Sequence, residues 1–309
     1  MPELPEVETM RRGIAAIVGS RICGVARPKC RLKPILISPE LGRLRRRVVG
    51  RTITALDRIG KRVVIRLDHP RGGAGDSIVI EPRMTGLVLL ADPPEEEHLR
   101  LTFHLSGGTE SQLMFWDRRG LGTVRLVPAS DFERRYGLHA IGPDALDVTA
   151  DVLRQRLGAS RREIKVALLD QKAVAGIGNL YASEILHQAG IHPKRRCHRL
   201  RNADWSALES SIRAVLEKAI RYEGSTLSDG TYRNALNEAG GFQNHHRVYD
   251  RAGRTCAACG SAQVVRIVQA QRSTFYCPSC QPARPPAAKR LRSSAALNLP
   301  AARHASSEA

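Results

Sequence analysis

The chain has 309 residues, a formal net charge of +19 and a sequence pI of about 10.4. The segment 283–309 carries a net charge of +4, which leaves +15 on the rest of the chain. A globular chain this basic indicates nucleic acid or an anionic membrane surface as its partner. The sequence has neither the run of about 18 apolar residues that a membrane span needs nor a secretory signal. We therefore expect a cytoplasmic protein, in which cysteines are more often metal ligands than disulfides.

The first part of the chain predicts one helix followed by many short strands. Apolar residues recur at helical spacing at Val7, Met10, Ile14 and Ile17, which indicates an amphipathic helix at the N-terminus. Short β-type runs separated by turn-like segments follow, and this pattern is typical of a β-sandwich. The predicted strands are 53–56, 63–67, 78–80, 87–90, 99–105, 113–116 and 123–127.

The middle of the chain predicts helices. The periodicity favours helices over 151–157, 163–169, 179–188 and 203–222, the last with one apolar stripe and a stop at Gly224. The glycines and asparagines that follow are typical of a mobile loop.

Four cysteines near the C-terminal end form the strongest metal-binding signal. They occur as two CxxC pairs, Cys256 with Cys259 and Cys277 with Cys280, separated by 17 residues. This spacing predicts a zinc ribbon in which four thiolates hold one structural zinc ion tetrahedrally. Such a site has no open coordination position, so we expect no catalytic metal. The two β-type runs between the pairs predict a hairpin with Arg272 near its tip.

The first residues, Pro2 and Glu3, admit a chemical and a purely structural interpretation. If the initiator Met is removed, Pro2 is a secondary amine that can attack a sugar carbon and form an iminium, with Glu3 carrying protons. The structural alternative is a helix start, because proline suits a first turn and acids suit the positive end of the helix dipole. These two residues alone favour the structural alternative.

A glycine-bearing turn at 176–181 leads into one of the predicted helices. Backbone N–H groups at such a junction point outward and can bind phosphate oxygens. Upstream, Arg161, Arg162 and Lys165 can add cations to the same strand of a nucleic acid. Ordinary helix punctuation and a solvated basic face are the alternatives for these two features.

Taken together, the motifs resemble the formamidopyrimidine-DNA glycosylase family. The resemblance runs in family order from residue 1 to about 281, and only the tail lies outside it. The matching segments are 2–9 (PELPEVET), 60–61 (GK), 84–86 (MTG), 176–184 (GIGNLYASE), 190–193 (GIHP) and 271–277 (QRSTFYC).

The resemblance implies a multidomain α+β fold. Residues 1–135 would form the catalytic N-terminal helix and β-sandwich, and 136–250 a helix–two-turn–helix domain with a mobile lesion-recognition loop at 224–241. Residues 251–282 would form the zinc ribbon, and 283–309 a disordered basic tail. The implied partner is damaged double-stranded DNA, bound by a monomer. The implied activity is removal of oxidised purines from a flipped nucleotide, followed by β,δ-elimination of the abasic sugar.

The resemblance also implies a role for individual residues. Pro2 would be the nucleophile and Glu3 the general acid/base, while Lys61 and Arg272 would assist β- and δ-elimination. The implied DNA contacts are His98, Arg119, Arg161, Lys165 and Asn179, with Met84, Arg119 and Leu121 filling the space left by the extruded nucleotide.

The chain departs from the family pattern at two places. Leu121 stands where the family has a wedge phenylalanine, so the search for lesions or the preference for the opposite base is in question. Glu81-Pro82-Arg83 stands where the family often has His-Leu-Gly, and His98 is the best match to the histidine that contacts DNA.

Two other functions compete with this interpretation. One is an endonuclease VIII-like enzyme for oxidised pyrimidines, which Leu4 disfavours because that branch typically begins Pro-Glu-Gly-Pro. The other is a zinc-ribbon nucleic-acid-binding protein without catalysis, which the charge alone would support.

Overall fold

The computed structural model describes residues 1–227 and 230–283. Within them, an N-terminal helix and two sheets are followed by a set of helices and a C-terminal two-stranded hairpin. The predicted tail, from residue 284 onward, lies outside the described residues. In the described part of the chain, no helix is both long and apolar enough to cross a membrane.

The helices and strands are numbered in chain order. The α-helices of the described residues are α1 Leu4–Gly13, α2 Leu41–Val48, α3 Ala129–Tyr136, α4 Ala150–Leu157, α5 Ile164–Leu168, α6 Asn179–Gln188 and α7 Asn202–Arg221. The strands are β1 Arg21–Ala26, β2 Leu36–Ser38, β3 Ile53–Ile59, β4 Arg62–Leu67, β5 Ser77–Glu81, β6 Gly86–Leu89, β7 Leu99–Ser106, β8 Gln112–Asp117, β9 Thr123–Val127, β10 Val265–Gln269 and β11 Arg272–Tyr276.

Two sheets form the predicted sandwich. One has the strand order β1-β7-β8-β6 and the other β2-β9-β5-β4-β3, and every pair is antiparallel except β2 with β9. Their buried faces share one apolar core that includes the inner face of α1. The short β-type runs separated by turn-like segments therefore predicted this layer correctly.

Helix α1 belongs to both halves of the molecule. Its residues Val7, Met10 and Ile14 lie in the core of the sandwich, whereas Leu4 lies in the core of the helical domain. A Cβ on Gly176 would lie only 2.4 Å from Leu4 Cδ1, so the Leu4 side chain occupies the space beside this glycine. The start of the chain is thus held between the two domains.

A buried guanidinium reinforces this junction. Arg58, on β3, donates to Glu8 of α1 at 3.1 Å and to Asp144 of the helical domain through two hydrogen bonds of 2.5 and 3.0 Å. Its side chain is only 9% exposed, so the charge is acceptable because two carboxylates neutralise it. Burial alone would raise the pKa of Glu8, but hydrogen bonds from Arg11 and Arg12, followed by the charges of Arg11 and Arg58, lower it to about 2.

The zinc-ribbon hairpin packs against the helical domain. Gln269 donates to Glu163 and to the Pro193 carbonyl, and Gln281 donates to the Ile191 carbonyl. The ring of Tyr276 lies edge-on to His192, with 4.8 Å between ring centroids. These contacts place Arg272 beside the helical domain.

The segment predicted as a mobile loop is attached to the sandwich at a defined point. Ala235 is buried and its carbonyl accepts from the N–H groups of Leu90 and Ala91, at 2.9 and 3.4 Å. A Cβ on Gly13 of α1 would lie 2.6 Å from the Ala235 Cβ, so this close approach needs a glycine. Mobility of 224–241 stays a prediction.

Four elements were not predicted from the sequence: α2, α3, β1 and β2. Helix α3 covers the outer face of the five-stranded sheet, where Phe132 and Tyr136 pack beside Val64, Val79 and Val127. Both missed helices have eight residues and contain many arginines. Helices this short depend on packing rather than on propensity, and sequence periodicity detects them poorly.

Candidate active site and metal centre

The first turn of α1 is fixed by a capping box. The backbone N–H of Glu3 donates to Glu6 Oε2 at 2.8 Å, and a proline lies in the first turn, where its missing N–H costs nothing. Glu6 is buried and also accepts from the Tyr181 hydroxyl at 2.6 Å and from the Ser225 N–H at 2.9 Å. Burial, and next the nearby charge of Glu3, raise the pKa of Glu6. The chain start is thus a helix start with Glu3 at the N-cap, but the proline in the first turn is Pro5 and not Pro2. The chemical interpretation of Pro2 stays a prediction.

The Glu3 side chain points to the N-terminus of α6. Its carboxylate accepts from the backbone N–H of Leu180 at 3.0 Å and of Tyr181 at 3.4 Å. The helix dipole favours an anion there. The prediction that these N–H groups bind phosphate oxygens is thus wrong for these two groups, because a carboxylate of the protein occupies them.

A cavity of about 410 Å³ lies where the chain begins. Met1 and Glu3, which flank the buried Pro2, both line it. Across from them are Met84, Asn179 and Arg272, which come from the sandwich, the helical domain and the hairpin; Leu180, Leu227, Tyr249 and Ser273 complete the lining. The structure therefore brings together four of the residues singled out from the sequence and places Pro2 at their side.

Lys61 lies in the tight turn between β3 and β4, outside the lining of the cavity but close enough to Glu3 and Arg272 for their charges to act on it. Gly60 makes this turn with φ of +55°, and a Cβ there would lie 3.1 Å from the Ala175 Cβ. Burial lowers the pKa of Lys61, although the charges of Glu3 and Glu6 act in the opposite direction. A lysine with a lowered pKa exchanges protons more readily near neutral pH.

Lys165 is not placed as the predicted phosphate contact requires. It is fully buried, and its ammonium donates to Asn179 Oδ1 at 2.5 Å, to Thr274 Oγ1 at 2.8 Å and to the Ser273 carbonyl at 3.2 Å. Asn179 donates to the same Ser273 carbonyl at 2.9 Å. With its three N–H bonds so directed, this ammonium is not available to a phosphate. Lys165 instead fixes Asn179 and the hairpin that carries Arg272.

Two loops carry the residues predicted to replace the extruded nucleotide. Met84 and Arg119 are exposed, and Leu121 is partly exposed. Asp117 is fully buried and joins the two loops, because it accepts from the Thr85 hydroxyl at 2.5 Å and from the backbone N–H of Arg119 at 3.2 Å. The two loops therefore form one hydrogen-bonded unit.

Arg100 also holds this unit in place, and it was not identified from the sequence. It is 3% exposed and donates to the Asp117 and Arg118 carbonyls at 2.7 and 3.3 Å. A charged residue inside a strand carries no sequence signal for this role. Only the position of the carbonyls that it binds shows its role.

His98 is placed differently from what a DNA contact requires. Its ring is buried edge-on to Trp116, and Nε2 lies 3.1 Å from Glu95 and 3.2 Å from Glu97. The ring thus faces two carboxylates, which repel phosphate. Arg161 is exposed, in agreement with a phosphate contact, but lies outside the lining of the cavity.

The four predicted zinc ligands converge. The Sγ atoms of Cys256, Cys259, Cys277 and Cys280 all lie within 4.8 Å of one another, with 3.9 Å between Cys256 and Cys280 and 3.7 Å between Cys259 and Cys277. Zinc–sulfur bonds of about 2.3 Å in a tetrahedron place the sulfurs about 3.8 Å apart. The residues present thus fit one structural zinc ion.

Comparison with known protein families agrees with this arrangement. Residues 1–124 match the formamidopyrimidine-DNA glycosylase N-terminal domain, 140–231 match its H2TH domain, and 253–283 match a zinc finger found in FPG and IleRS. The chain belongs to the formamidopyrimidine-DNA glycosylase family. The predicted family and the three-part fold are thereby confirmed.

Individual relatives of the formamidopyrimidine-DNA glycosylase family match most of the chain. A curated formamidopyrimidine-DNA glycosylase of Chloroflexus aggregans is 39% identical over 282 residues, covering 91% of this chain and 98% of the relative. The solved structure of Lactococcus lactis Fpg with abasic-site DNA has a TM-score of 0.79 at 33% identity, covering 91% and 99% of the two chains. A mutant of the same enzyme, bound to Fapy-dG DNA, has a TM-score of 0.78 at 33% identity, covering 91% and 100%.

We expect the buried ammonium of Lys165 to make stability depend on pH. Burial lowers its pKa to about 8 from the usual 10.5, so between these pH values the unfolded chain binds more protons than the folded one. The free energy of unfolding should therefore rise with pH in this range, by up to about 3 kcal/mol relative to a Lys165→Met variant. Urea unfolding of both proteins from pH 7 to 10 measures this change in the free energy of unfolding. The difference between the proteins cancels all other titrating groups, and a difference independent of pH would contradict the assignment.

Loss of the metal should unfold the hairpin. The cysteine module is too small to bury a sufficient core, so the bound ion supplies its folding free energy. We expect Cys259→Ser to lose stoichiometric zinc, lower the melting temperature and weaken DNA binding, because Arg272 is no longer held in place. Metal analysis and thermal unfolding measure these changes. Cys23→Ser is the matched control because Cys23 is exposed and remote from the cluster; full zinc content in Cys259→Ser would refute the ligand set.

Proposed function

We propose that the protein is a bifunctional DNA glycosylase and abasic-site lyase that removes oxidised purines, namely 8-oxoguanine and formamidopyrimidines. The observation that carries this proposal is the cavity that gathers the chain start, Glu3, Asn179 and Arg272. Family membership supports it, and the Lactococcus lactis relatives are seen with Fapy-dG and abasic-site DNA.

The first half of the proposed reaction uses the chain start. With Met1 removed, the lone pair of the Pro2 nitrogen forms a bond to the anomeric carbon as the bond from that carbon to the base breaks. The base leaves with the bonding electrons and takes up a proton. The sugar ring then opens to an iminium as its ring oxygen is protonated. Glu3 is the general acid/base for these transfers, held by two backbone N–H groups at the start of α6.

The second half is β,δ-elimination of the iminium sugar. Loss of a proton from the adjacent carbon expels the 3′-phosphate, and a second elimination expels the 5′-phosphate. Lys61 donates a proton or contacts phosphate in the first step, and its lowered pKa suits proton exchange. Arg272, exposed at the start of β11, binds phosphate and assists the second.

The remaining residues position the DNA. Asn179 and Arg161 contact backbone phosphates, and Met84, Arg119 and Leu121 fill the space left by the extruded nucleotide. Because the last three lie on loops joined by Asp117, they enter the duplex as one unit.

The organisation of the protein in the cell forms part of the proposal. The N-terminal catalytic domain spans 1–135, the helix–two-turn–helix domain 136–250 and the zinc ribbon 251–282. The protein acts as a cytoplasmic, nucleoid-associated monomer on double-stranded DNA.

Borohydride trapping tests the nucleophile. On a duplex with 8-oxoguanine, we expect reduction to give a covalent protein–DNA adduct through Pro2. A protein that retains an uncleaved N-terminal extension should give no adduct, because its Pro2 nitrogen is an amide. Denaturing gel electrophoresis measures the adduct, and undiminished trapping by the blocked protein would defeat the assignment.

Two controls separate the alternatives. Comparing excision of 8-oxoguanine with excision of thymine glycol distinguishes purine from pyrimidine specificity. Tight binding to abasic DNA without any nicking would favour a non-catalytic binding protein.

The Glu3 carboxylate offers a second test, through Gly178. A Cβ on Gly178 would lie 2.2 Å from Glu3 Cδ and within 2.6 Å of both carboxylate oxygens. Gly178→Ala should therefore displace the carboxylate and lower the single-turnover excision rate by about 100-fold, the usual effect of misplacing a catalytic group by about 1 Å.

Gly42→Ala is the matched control for this variant. Gly42 lies in α2, where an added Cβ meets only the flexible ends of two side chains, Glu40 at 3.4 Å and Arg46 at 3.8 Å. It should leave the rate unchanged and stabilise the helix slightly. An unchanged rate in Gly178→Ala, with correct folding shown by circular dichroism, would remove Glu3 from the mechanism.

A further inference from the structure

A dense group of cations lies outside the site described so far. The sequence 194–201, KRRCHRLR, has five Lys and Arg residues among eight positions. They line a second cavity of about 530 Å³ together with His192 and Ala283. We call this surface the KRR patch; its cations are Lys194, Arg195, Arg196, Arg199 and Arg201.

The KRR patch is continuous with the segment that carries Arg161. The two segments are held side by side by backbone hydrogen bonds from Ile164 N to the Arg195 carbonyl at 2.8 Å and from Cys197 N to the Arg162 carbonyl at 3.0 Å. In addition, Arg196 Nη1 donates to the Arg161 carbonyl at 3.1 Å. Cations on both segments therefore belong to one rigid surface.

Most of this charge is not neutralised by the protein. Asp204 pairs with Arg195 at 2.9 Å and with Arg201 at 3.3 Å. Lys194, Arg196 and Arg199 are exposed, and within residues 1–227 and 230–283 none of them has a carboxylate oxygen within 4.0 Å. Three adjacent cations without counter-charges repel one another, so their proximity is favourable only when an anion is bound.

A carboxylate on the adjoining segment is directed elsewhere. Glu163 accepts from Gln269 of the hairpin at 2.5 Å. The patch also adjoins Ala283, the last described residue, and the sequence beyond it contributes five more Lys and Arg against one Glu.

We propose that the KRR patch binds the phosphate backbone of duplex DNA flanking the nucleotides held at the cavity. Duplex DNA presents a negative charge about every 1.7 Å along its axis, so a row of cations next to Arg161 can follow it past the lesion. Phosphate contacts of this kind carry no base specificity and raise affinity for any sequence. The proposal goes beyond the proposed reaction and depends only on DNA being the ligand.

The experiment compares duplexes of two lengths with a triple variant, Lys194→Ala/Arg196→Ala/Arg199→Ala. For undamaged duplexes of about 30 base pairs, we expect about tenfold weaker binding at 0.15 M salt and a salt slope smaller by about 2 to 3, since each lost phosphate contact removes about 0.9. For duplexes of about 12 base pairs, which cover little more than a single DNA-binding module, affinity should change less than twofold. Borohydride trapping on the short abasic duplex should stay at the wild-type level.

A charge-matched control separates a local contact from a general loss of positive charge. Arg43→Ala/Arg213→Ala/Lys218→Ala removes three exposed cations that lie outside the patch. This control variant should leave the difference in binding affinity between long and short duplexes at the wild-type value. An equal loss of affinity on both lengths, an equal loss in the control, or no loss on the long duplex would each overturn the proposal. A failure of trapping in the wild type would instead defeat the proposed reaction and leave this comparison intact.

Discussion

The structure depends on one buried carboxylate, that of Glu6. It accepts hydrogen bonds from Glu3 in the first turn, from Tyr181 in α6 and from Ser225 at the start of the loop after α7. Three segments far apart in sequence are thereby fixed around the chain start. A buried carboxylate is stable only when its oxygens accept hydrogen bonds. The three segments are therefore held with their donor groups next to Glu6.

The placement of Glu3 follows from this constraint. The backbone N–H of Glu3 donates to Glu6, and this bond places the Glu3 side chain where it can accept from the Leu180 N–H at the start of α6. A free chain end is normally among the most mobile parts of a protein. Here it is packed between two cores, through Leu4 on one side and Val7 on the other. Folding therefore orders the chain start before any substrate is present, so the loss of its conformational entropy does not oppose substrate binding.

The sequence predicted those features whose signal is local. The cysteine spacing, the short β-type runs between turns and the Pro2-Glu3 start can each be recognised from short stretches of sequence, and the structure confirms the first two directly. The failures concern residues whose partners are distant. Lys165 is predicted as a phosphate contact, whereas its acceptors at Ser273 and Thr274 lie 108 and 109 positions away. His98 is predicted from its match to the family pattern, and such a match does not show that its ring faces Glu95 and Glu97.

The position of Met1 has a practical consequence for anyone preparing the protein. Its side chain stands in the wall of the cavity and the following residue is buried. In the proposed reaction, affinity tags or fusion partners joined at this end would occupy the space for the sugar, and removal of Met1 is needed to free the Pro2 nitrogen. Recombinant preparations therefore call for an unmodified beginning and for mass spectrometry of the first residue before any assay.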